Sequence, residues 1–202
     1  MNIAIITGAS RGIGKAAAKR FAREGYSLLL NCEKNWTLLE ELQKEIQSDL
    51  KEDCPEIFLC KDLGTKEGLS RILEGKSLSK LILIANSAKD SIKLLQDYSE
   101  KETVALLETN LLQPFTLCQN LLPYFLKAKE GRILFSSSVW GNVGASMESL
   151  YSLTKGGIST FAKALGKELA PSHISVNAVA FGAVDTDMNS WLSAEEKQSL
   201  EE

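Results

Sequence analysis

The sequence predicts an α/β fold: an open, doubly wound parallel sheet between two helical layers, three layers in all. Three observations carry the prediction. Short apolar runs of strand length alternate with amphipathic stretches of helix length as far as position 179. A glycine-rich turn stands between the first such run and the first helix. No linker, internal repeat or low-complexity segment interrupts the alternation, so residues 1–202 are expected to form one domain. Strands joined through helices run parallel with right-handed crossovers. Ligands of such sheets bind beyond the carboxyl ends of the strands, where the strand order reverses.

Residues 3–6 are uniformly aliphatic and read as a buried strand. The turn Thr7-Gly8-Ala9-Ser10-Arg11-Gly12-Ile13-Gly14 follows, then a helix that runs through Phe21 and ends near Gly25. Residues 26–31 are the second strand. Residues 36–51 are helical, with Leu38, Leu39, Leu42, Ile46 and Leu50 at helical spacing. Residues 56–60 form the third strand, 66–73 a short helix and 81–85 the fourth strand. A long helical stretch covers 101–127. Pro114 inside it must kink the helix or be fitted by a local adjustment, because proline has no N–H to donate. Residues 132–136 are the fifth strand. Residues 150–169 are a helix whose apolar stripe is Ile158, Phe161, Ala162, Leu165 and Leu169, and 174–179 are the sixth strand. The tail from Ser190 is polar, with a helix start at Ser193-Ala194-Glu195-Glu196.

Composition narrows the function. The net charge is -3 without a block of Lys or Arg, which argues against a nucleic acid or an anionic membrane surface as partner. The longest apolar runs, such as 28–30 and 81–85, are far too short to span a bilayer. Residues 3–6 are too short a run for a signal peptide. Cys32, Cys54, Cys60 and Cys118 lack C-x-x-C spacing, so a reducing, cytoplasmic setting is expected, with the cysteines as small packing residues. His173 is the only histidine, which argues against His-centred catalysis and multi-His metal sites.

Two motifs carry chemistry. Gly8, Gly12 and Gly14 are spaced G-x-x-x-G-x-G between a strand and a helix. Such a turn lets backbone approach a dinucleotide pyrophosphate, and the helix N-terminus supplies unpaired N–H groups. Tyr151 and Lys155 are four residues apart and share one helix face. A phenol with pKa ~10 is a poor acid–base group at neutral pH. An ammonium beside it favours the phenolate and lowers that value, which makes the pair a proton-transfer device. By itself such a pair is more often a solvated helix face.

Together with the rest of the chain, these motifs resemble the short-chain dehydrogenase/reductase family, a group with a Rossmann-type sheet. Thr7 to Gly14 resembles its cofactor loop, and Asp62 matches the acidic residue that contacts the adenine. Asn86-Ser87-Ala88-Lys89 is similar to the Asn-Asn-Ala-Gly motif. Asn110 stands at the place of the catalytic Asn, and Gly131 to Val139 resembles the strand that ends in the catalytic Ser, here Ser138. Tyr151 and Lys155 match Y-x-x-x-K, and the segment from Asn177 to Met188 is similar to the one that covers the nicotinamide. Within the family the wording is closest to 3-oxoacyl-acyl-carrier-protein reductases; the alternative readings are an NAD-linked alcohol or sugar dehydrogenase and a non-catalytic member acting as a binding or regulatory module.

The resemblance implies hydride transfer between a nicotinamide C4 and a carbonyl carbon. Tyr151 would donate a proton to the developing alkoxide, with its pKa lowered by Lys155. Lys155 would also hold the nicotinamide ribose. Ser138 would hydrogen-bond the carbonyl oxygen, and Asn110 would hold a water linking Lys155 to solvent. The implied cofactor contacts are Thr7, Gly8, Ser10, Arg11, Gly12, Ile13 and Gly14 in the turn, and Lys34, Asp62 and Leu63 near the second and third strands. Asn86, Ser87 and Ala88 join them after the fourth strand, with Tyr151 and Lys155. Gly182, Val184 and Thr186 complete the set. The implied partners are a small-molecule or acyl-thioester substrate, acyl carrier protein as its carrier, and a homo-oligomeric copy. The implied setting is fatty acid biosynthesis. Taken singly, Ser138 also reads as a strand-end serine capping a turn. Asn110 also reads as a buried helix residue bonding a backbone carbonyl, and Asp62 as an N-cap.

A carboxylate at the end of the second strand would favour NAD, and a basic residue there NADP. The family's usual Asp position is Cys32 here, and Arg11 and Lys34 would meet a 2′-phosphate, although Glu33 would repel it. NADP(H) is therefore expected, with NAD as the other possibility. The chain departs from the pattern at Lys89, where the motif has Gly and where a long side chain either crowds the cofactor or points to solvent. Ser87 and Phe181 replace an Asn and a Pro. The sequence ends at Glu202, without room for the family's seventh, C-terminal strand, so altered oligomerisation is expected.

Overall fold

The computed structural model describes residues 1–128 and 130–187. In chain order the first half comprises β1 (Asn2–Ile6), α1 (Gly12–Arg23), β2 (Ser27–Leu30), α2 (Trp36–Leu50), β3 (Ile57–Leu59), α3 (Lys66–Leu73) and β4 (Lys80–Ala85). The second half comprises α4 (Glu100–Leu107), a π-helical turn (Glu108–Leu112), α5 (Gln113–Lys127), β5 (Glu130–Ser138), α6 (Trp140–Val143), α7 (Ser149–Leu169) and β6 (Ile174–Phe181). The six strands are all parallel and lie in the order β3-β2-β1-β4-β5-β6. The order reverses between β1 and β4, and the open parallel sheet is the one that the alternation of elements predicted. Among the described residues β3 and β6 are the sheet edges.

Successive residues of a strand face opposite sides, so one aliphatic run feeds two cores. Ala4, Ile6, Leu28 and Leu30 pack under α1 and α2 against Ala18, Leu39, Leu42 and Ile46. Ile3, Ile5, Leu29 and Phe135 pack under α3, α5 and α7 against Leu69, Leu121, Phe125 and Ile158. Burial on both faces explains why the central strands are aliphatic without alternation. In α2 the buried face is Leu39, Leu42 and Ile46, while Leu38 is exposed.

The stretch expected to be one long helix runs without interruption from α4 through the π-helical turn into α5. Pro114 sits at the start of α5, directly after the π-helical turn. Its ring cannot accommodate the carbonyl four residues back, that of Asn110, and it has no N–H to offer that oxygen. The wider turn is the local adjustment. A second proline, Pro123, lies inside α5, where proline costs about 3 kcal/mol or more. Leu117, Leu121 and Phe125 are all buried on the same helix, and each such side chain contributes about 1.5–3 kcal/mol, which is enough to hold it.

Strands β5 and β6 extend further than the sequence suggested, pairing as far as Ser138 with Phe181. The short α6 was not expected. Gly141 explains its position, because a Cβ there would lie 2.6 Å from the Lys155 carbonyl carbon, so only glycine lets α6 press against α7. The expected helix start at Ser193 lies outside the described residues. No helix among the described residues is long and apolar enough to cross a membrane.

Candidate active site

The chain leaves β1 toward the α1–α2 layer and leaves β4 toward the opposite layer, which opens a crevice between the two strand ends. Thr7 ties its floor. Its hydroxyl oxygen accepts from the backbone N–H of Asn86 and of Ser87, both at 3.0 Å. Gly8 adopts φ +64, and a Cβ on it would lie 3.1 Å from the Ser87 backbone. Gly14 has no room for a Cβ, which would stand 2.2 Å from the Gly8 carbonyl oxygen. The N-cap residue of α1, Arg11, makes no side-chain cap bond, and no acidic residue lies in the first turn. The N–H groups of Gly12, Ile13 and Gly14 thus form an uncapped, electropositive helix start beside a glycine cradle, which fits a pyrophosphate.

The segment after β6 folds over this turn. A Cβ on Gly12 would lie 3.2 Å from Thr186 Cγ2, and Arg11 Nε is 3.7 Å from the Asp187 carboxylate. Gly182 and Val184 belong to the same segment, where Gly182 faces open space. At the end of β2, burial raises the Cys32 thiol, opposed by hydrogen bonding from Ser10. Lys34 is exposed. Asp62 is already engaged: the Arg71 guanidinium lies 2.5 Å away and lowers its carboxyl pKa. It is not the N-cap of α3, because Thr65 accepts from Gly68 N–H at 3.0 Å. Leu63 points its side chain into the core, so only its backbone is available to a ligand.

Across the crevice, α7 delivers Tyr151 and Lys155, 9% and 4% exposed. The Lys155 ammonium donates to the Ser136 carbonyl at 2.7 Å and stands 5.5 Å from the centre of the Tyr151 ring. Two serine hydroxyls fix the surrounding backbone. Ser137 donates to the Lys155 carbonyl at 2.9 Å, and Ser136 donates to Asn86 Oδ1 at 3.0 Å. Ser138 ends β5, and its hydroxyl accepts Trp140 N–H at 3.2 Å. Ser138 therefore does cap a turn, and it also acts on Tyr151. Ala88 and Ser87 are half-buried beside this group.

The electrostatics correct one expectation. Burial pushes the Tyr151 phenol up to about 12; Ser138 pulls it down, and the Glu148 and Asp90 carboxylates raise it further. Burial also pushes the Lys155 ammonium down to about 8. The lowering of the Tyr151 pKa expected from Lys155 is not seen: burial dominates, and Ser138 is the group that opposes it. At neutral pH the pair is a protonated phenol beside an ammonium, which is the state that can donate a proton.

Asn110 takes the form of its alternative reading, a buried helix residue bonding a backbone carbonyl. It is 3% exposed and spends its amide on Lys89, whose backbone N–H donates to Oδ1 at 2.8 Å and whose carbonyl accepts from Nδ2 at 2.8 Å. Nδ2 also donates to Thr154 Oγ1 at 3.1 Å, and that hydroxyl donates to the Tyr151 carbonyl at 2.7 Å. These bonds lead to the Tyr151 helix rather than to the Lys155 ammonium. Asn110 is a positioning residue that ties the segment after β4 to α7. The sequence reading missed Thr154, whose signal was a polar residue on the buried face of α7. It also missed the Lys89 side chain's partner, Glu33, at 2.9 Å.

Residues 2–197 match the sequence model of the short chain dehydrogenase family. The chain is 36% identical over 197 residues to YmfI, an uncharacterized oxidoreductase of Bacillus subtilis, a match covering 98% of this chain and 81% of that protein. It is 34% identical over 197 residues to the 3-oxoacyl-acyl-carrier-protein reductase FabG of Chlamydia muridarum, covering 94% of this chain and 77% of that protein. A crystal structure of 3-ketoacyl-acyl-carrier-protein reductase from Brucella melitensis, complexed with NADH, has the same fold. Its TM-score is 0.81 at 23% identity, covering 98% of this chain and 82% of that one. A putative NAD(P) dependent gluconate 5-dehydrogenase from Beutenbergia cavernae, with bound NADP, matches at TM-score 0.80 and 24% identity, covering 99% of this chain and 79% of that one.

Proposed function

The chain belongs to the short chain dehydrogenase family of oxidoreductases, and from that premise we propose that it reduces the 3-oxo group of an acyl thioester with NADPH. The observation that carries the reading is the buried Tyr151–Lys155 pair, set across one crevice from an uncapped glycine-rich helix start. The nicotinamide supplies the hydride. Tyr151, kept protonated by its burial, donates its phenolic proton to the carbonyl oxygen of the substrate. The Ser138 hydroxyl donates to the same oxygen and stabilises its growing charge. Lys155 would hold the ribose of the bound nucleotide, and it keeps a positive charge beside the phenol. Asn110 and Thr154 hold the two walls of the site at fixed spacing.

The substrate class is supported by the reductases at 33–34% identity, which act on 3-oxoacyl-acyl-carrier-protein. Acyl carrier protein is then the partner, fatty acid biosynthesis the setting and the cytoplasm the compartment. NADP(H) is supported by the end of β2, where Cys32 stands in place of a carboxylate and Arg11 and Lys34 are exposed.

The test is a titration of the chain with NADPH and NADH followed by turnover with an acetoacetyl thioester. Tighter NADPH binding with consumption of the thioester is expected. Binding of neither nucleotide contradicts the reading, and binding without thioester turnover contradicts the substrate class.

A further inference from the structure

Lys89 and Glu33 meet over the carboxyl end of β1. Glu33 follows β2 and Lys89 follows β4, and β1 lies between those two strands. Their charged groups are 2.9 Å apart, so the pair joins the two lips of the crevice. Lys89 is not a loosely held surface lysine. Its N–H and its carbonyl are both gripped by the buried Asn110, so the side chain leaves from a fixed backbone and is aimed at the β2 end. The pair itself is open to solvent, with side-chain exposures of 36% for Lys89 and 54% for Glu33. Exposed pairs of this kind are weak and readily exchanged for a better anion.

The end of the second strand is where a dinucleotide in such a crevice presents its adenosine ribose. A free carboxylate there accepts from the ribose hydroxyls and repels a 2′-phosphate. Here the only acidic side chain of the segment 31–34 is Glu33, and it is matched by a cation delivered from the opposite lip. A second cation, Arg11, is similarly placed at the α1 start with an exposed carboxylate partner, Asp187. We propose that Lys89 is a cofactor-specificity residue: it neutralises Glu33 and offers its ammonium to the 2′-phosphate of NADP(H), together with Arg11 and Lys34. The inference rests on the NADP(H) reading of this crevice.

The test uses two fragments that need no nicotinamide or turnover, 2′,5′-ADP and 5′-AMP, titrated calorimetrically into the wild type, Lys89→Met, Lys89→Arg and Glu33→Gln. Thermal melts confirm that each variant is folded. The wild type is expected to bind 2′,5′-ADP more tightly than 5′-AMP. Lys89→Met should reduce that preference about tenfold, the size of one charge-assisted contact, while Lys89→Arg retains it. Glu33→Gln should keep or increase it. An unchanged preference in a folded Lys89→Met overturns the inference while leaving the dinucleotide site intact. A wild type that prefers 5′-AMP also overturns it, because Glu33 would then serve the ribose. A wild type that binds neither fragment overturns the NADP(H) reading and the inference with it.

Discussion

The Lys155 ammonium lies 5.5 Å from the centre of the Tyr151 ring while donating to the Ser136 carbonyl at 2.7 Å. One buried cation is thus shared between the end of β5 and the phenol one helical turn away. Its charge is held by geometry and opposed by burial, and several expectations follow from that tension.

Reduction should weaken as the pH rises through about 8. Lys155 is pushed down to about 8 and Tyr151 up to about 12, so across the neutral range the lysine is the group that changes state. Below about 8 the ammonium is present and the phenol protonated, the state that gives a proton away. A pH profile of kcat/KM with saturating NADPH should fall on its alkaline side in this region. A profile flat to pH 10 would remove the role of the Lys155 charge.

Lys155 also costs stability. Its pKa falls from 10.5 to about 8 on folding, a penalty on the order of 3 kcal/mol for carrying the charge inside. A depressed folded value means the penalty is full below about pH 8 and fades as the pH approaches the ordinary lysine value. Lys155→Met should therefore melt no lower than the wild type at neutral pH, while losing reduction. A clearly lower Tm at pH 7 would show that the bond to Ser136 outweighs desolvation.

Asn110→Ala should loosen the site from the cofactor side. It strips partners from the Lys89 N–H and carbonyl and from Thr154 Oγ1. Leaving such groups unsatisfied costs roughly 1–3 kcal/mol each where they stay buried. Chemical denaturation should show a loss in that range, with weaker NADPH binding. Retained stability and affinity would mean the bonds to Lys89 are dispensable.

Gly14→Ala tests the glycine cradle. Its Cβ would stand 2.2 Å from the Gly8 carbonyl oxygen, so the turn must open. Overpacking of this kind costs about 1–3 kcal/mol. The variant should melt lower and bind NADPH more weakly, as read by nucleotide fluorescence. Affinity equal to the wild type would place the pyrophosphate elsewhere.

The order of strands and helices was legible because short uniformly aliphatic runs alternate with stretches whose apolar positions repeat at about 3.6 residues. The glycine turn and the Tyr151–Lys155 pair were legible because each needs fixed residue types at fixed spacing. That Asn110 would be buried on a backbone carbonyl was also legible; which carbonyl was not, because it depends on the π-helical turn at Pro114 and on the backbone that then comes within reach. The fate of Lys89 was also hidden, since its partner Glu33 is distant in sequence and adjacent only across β1. The direction of the Tyr151 shift needed burial, which no spacing reveals: proximity of Lys155 suggested a lower value, and desolvation raises it.

The central claim is that Tyr151 supplies the proton. Tyr151→Phe removes one hydroxyl from a side chain only 9% exposed and leaves its ring packing in place. Turnover of an acetoacetyl thioester with NADPH should fall by about a hundredfold or more, the usual contribution of a positioned proton donor, with NADPH affinity nearly unchanged. Turnover in Tyr151→Phe equal to that of the wild type would contradict the account.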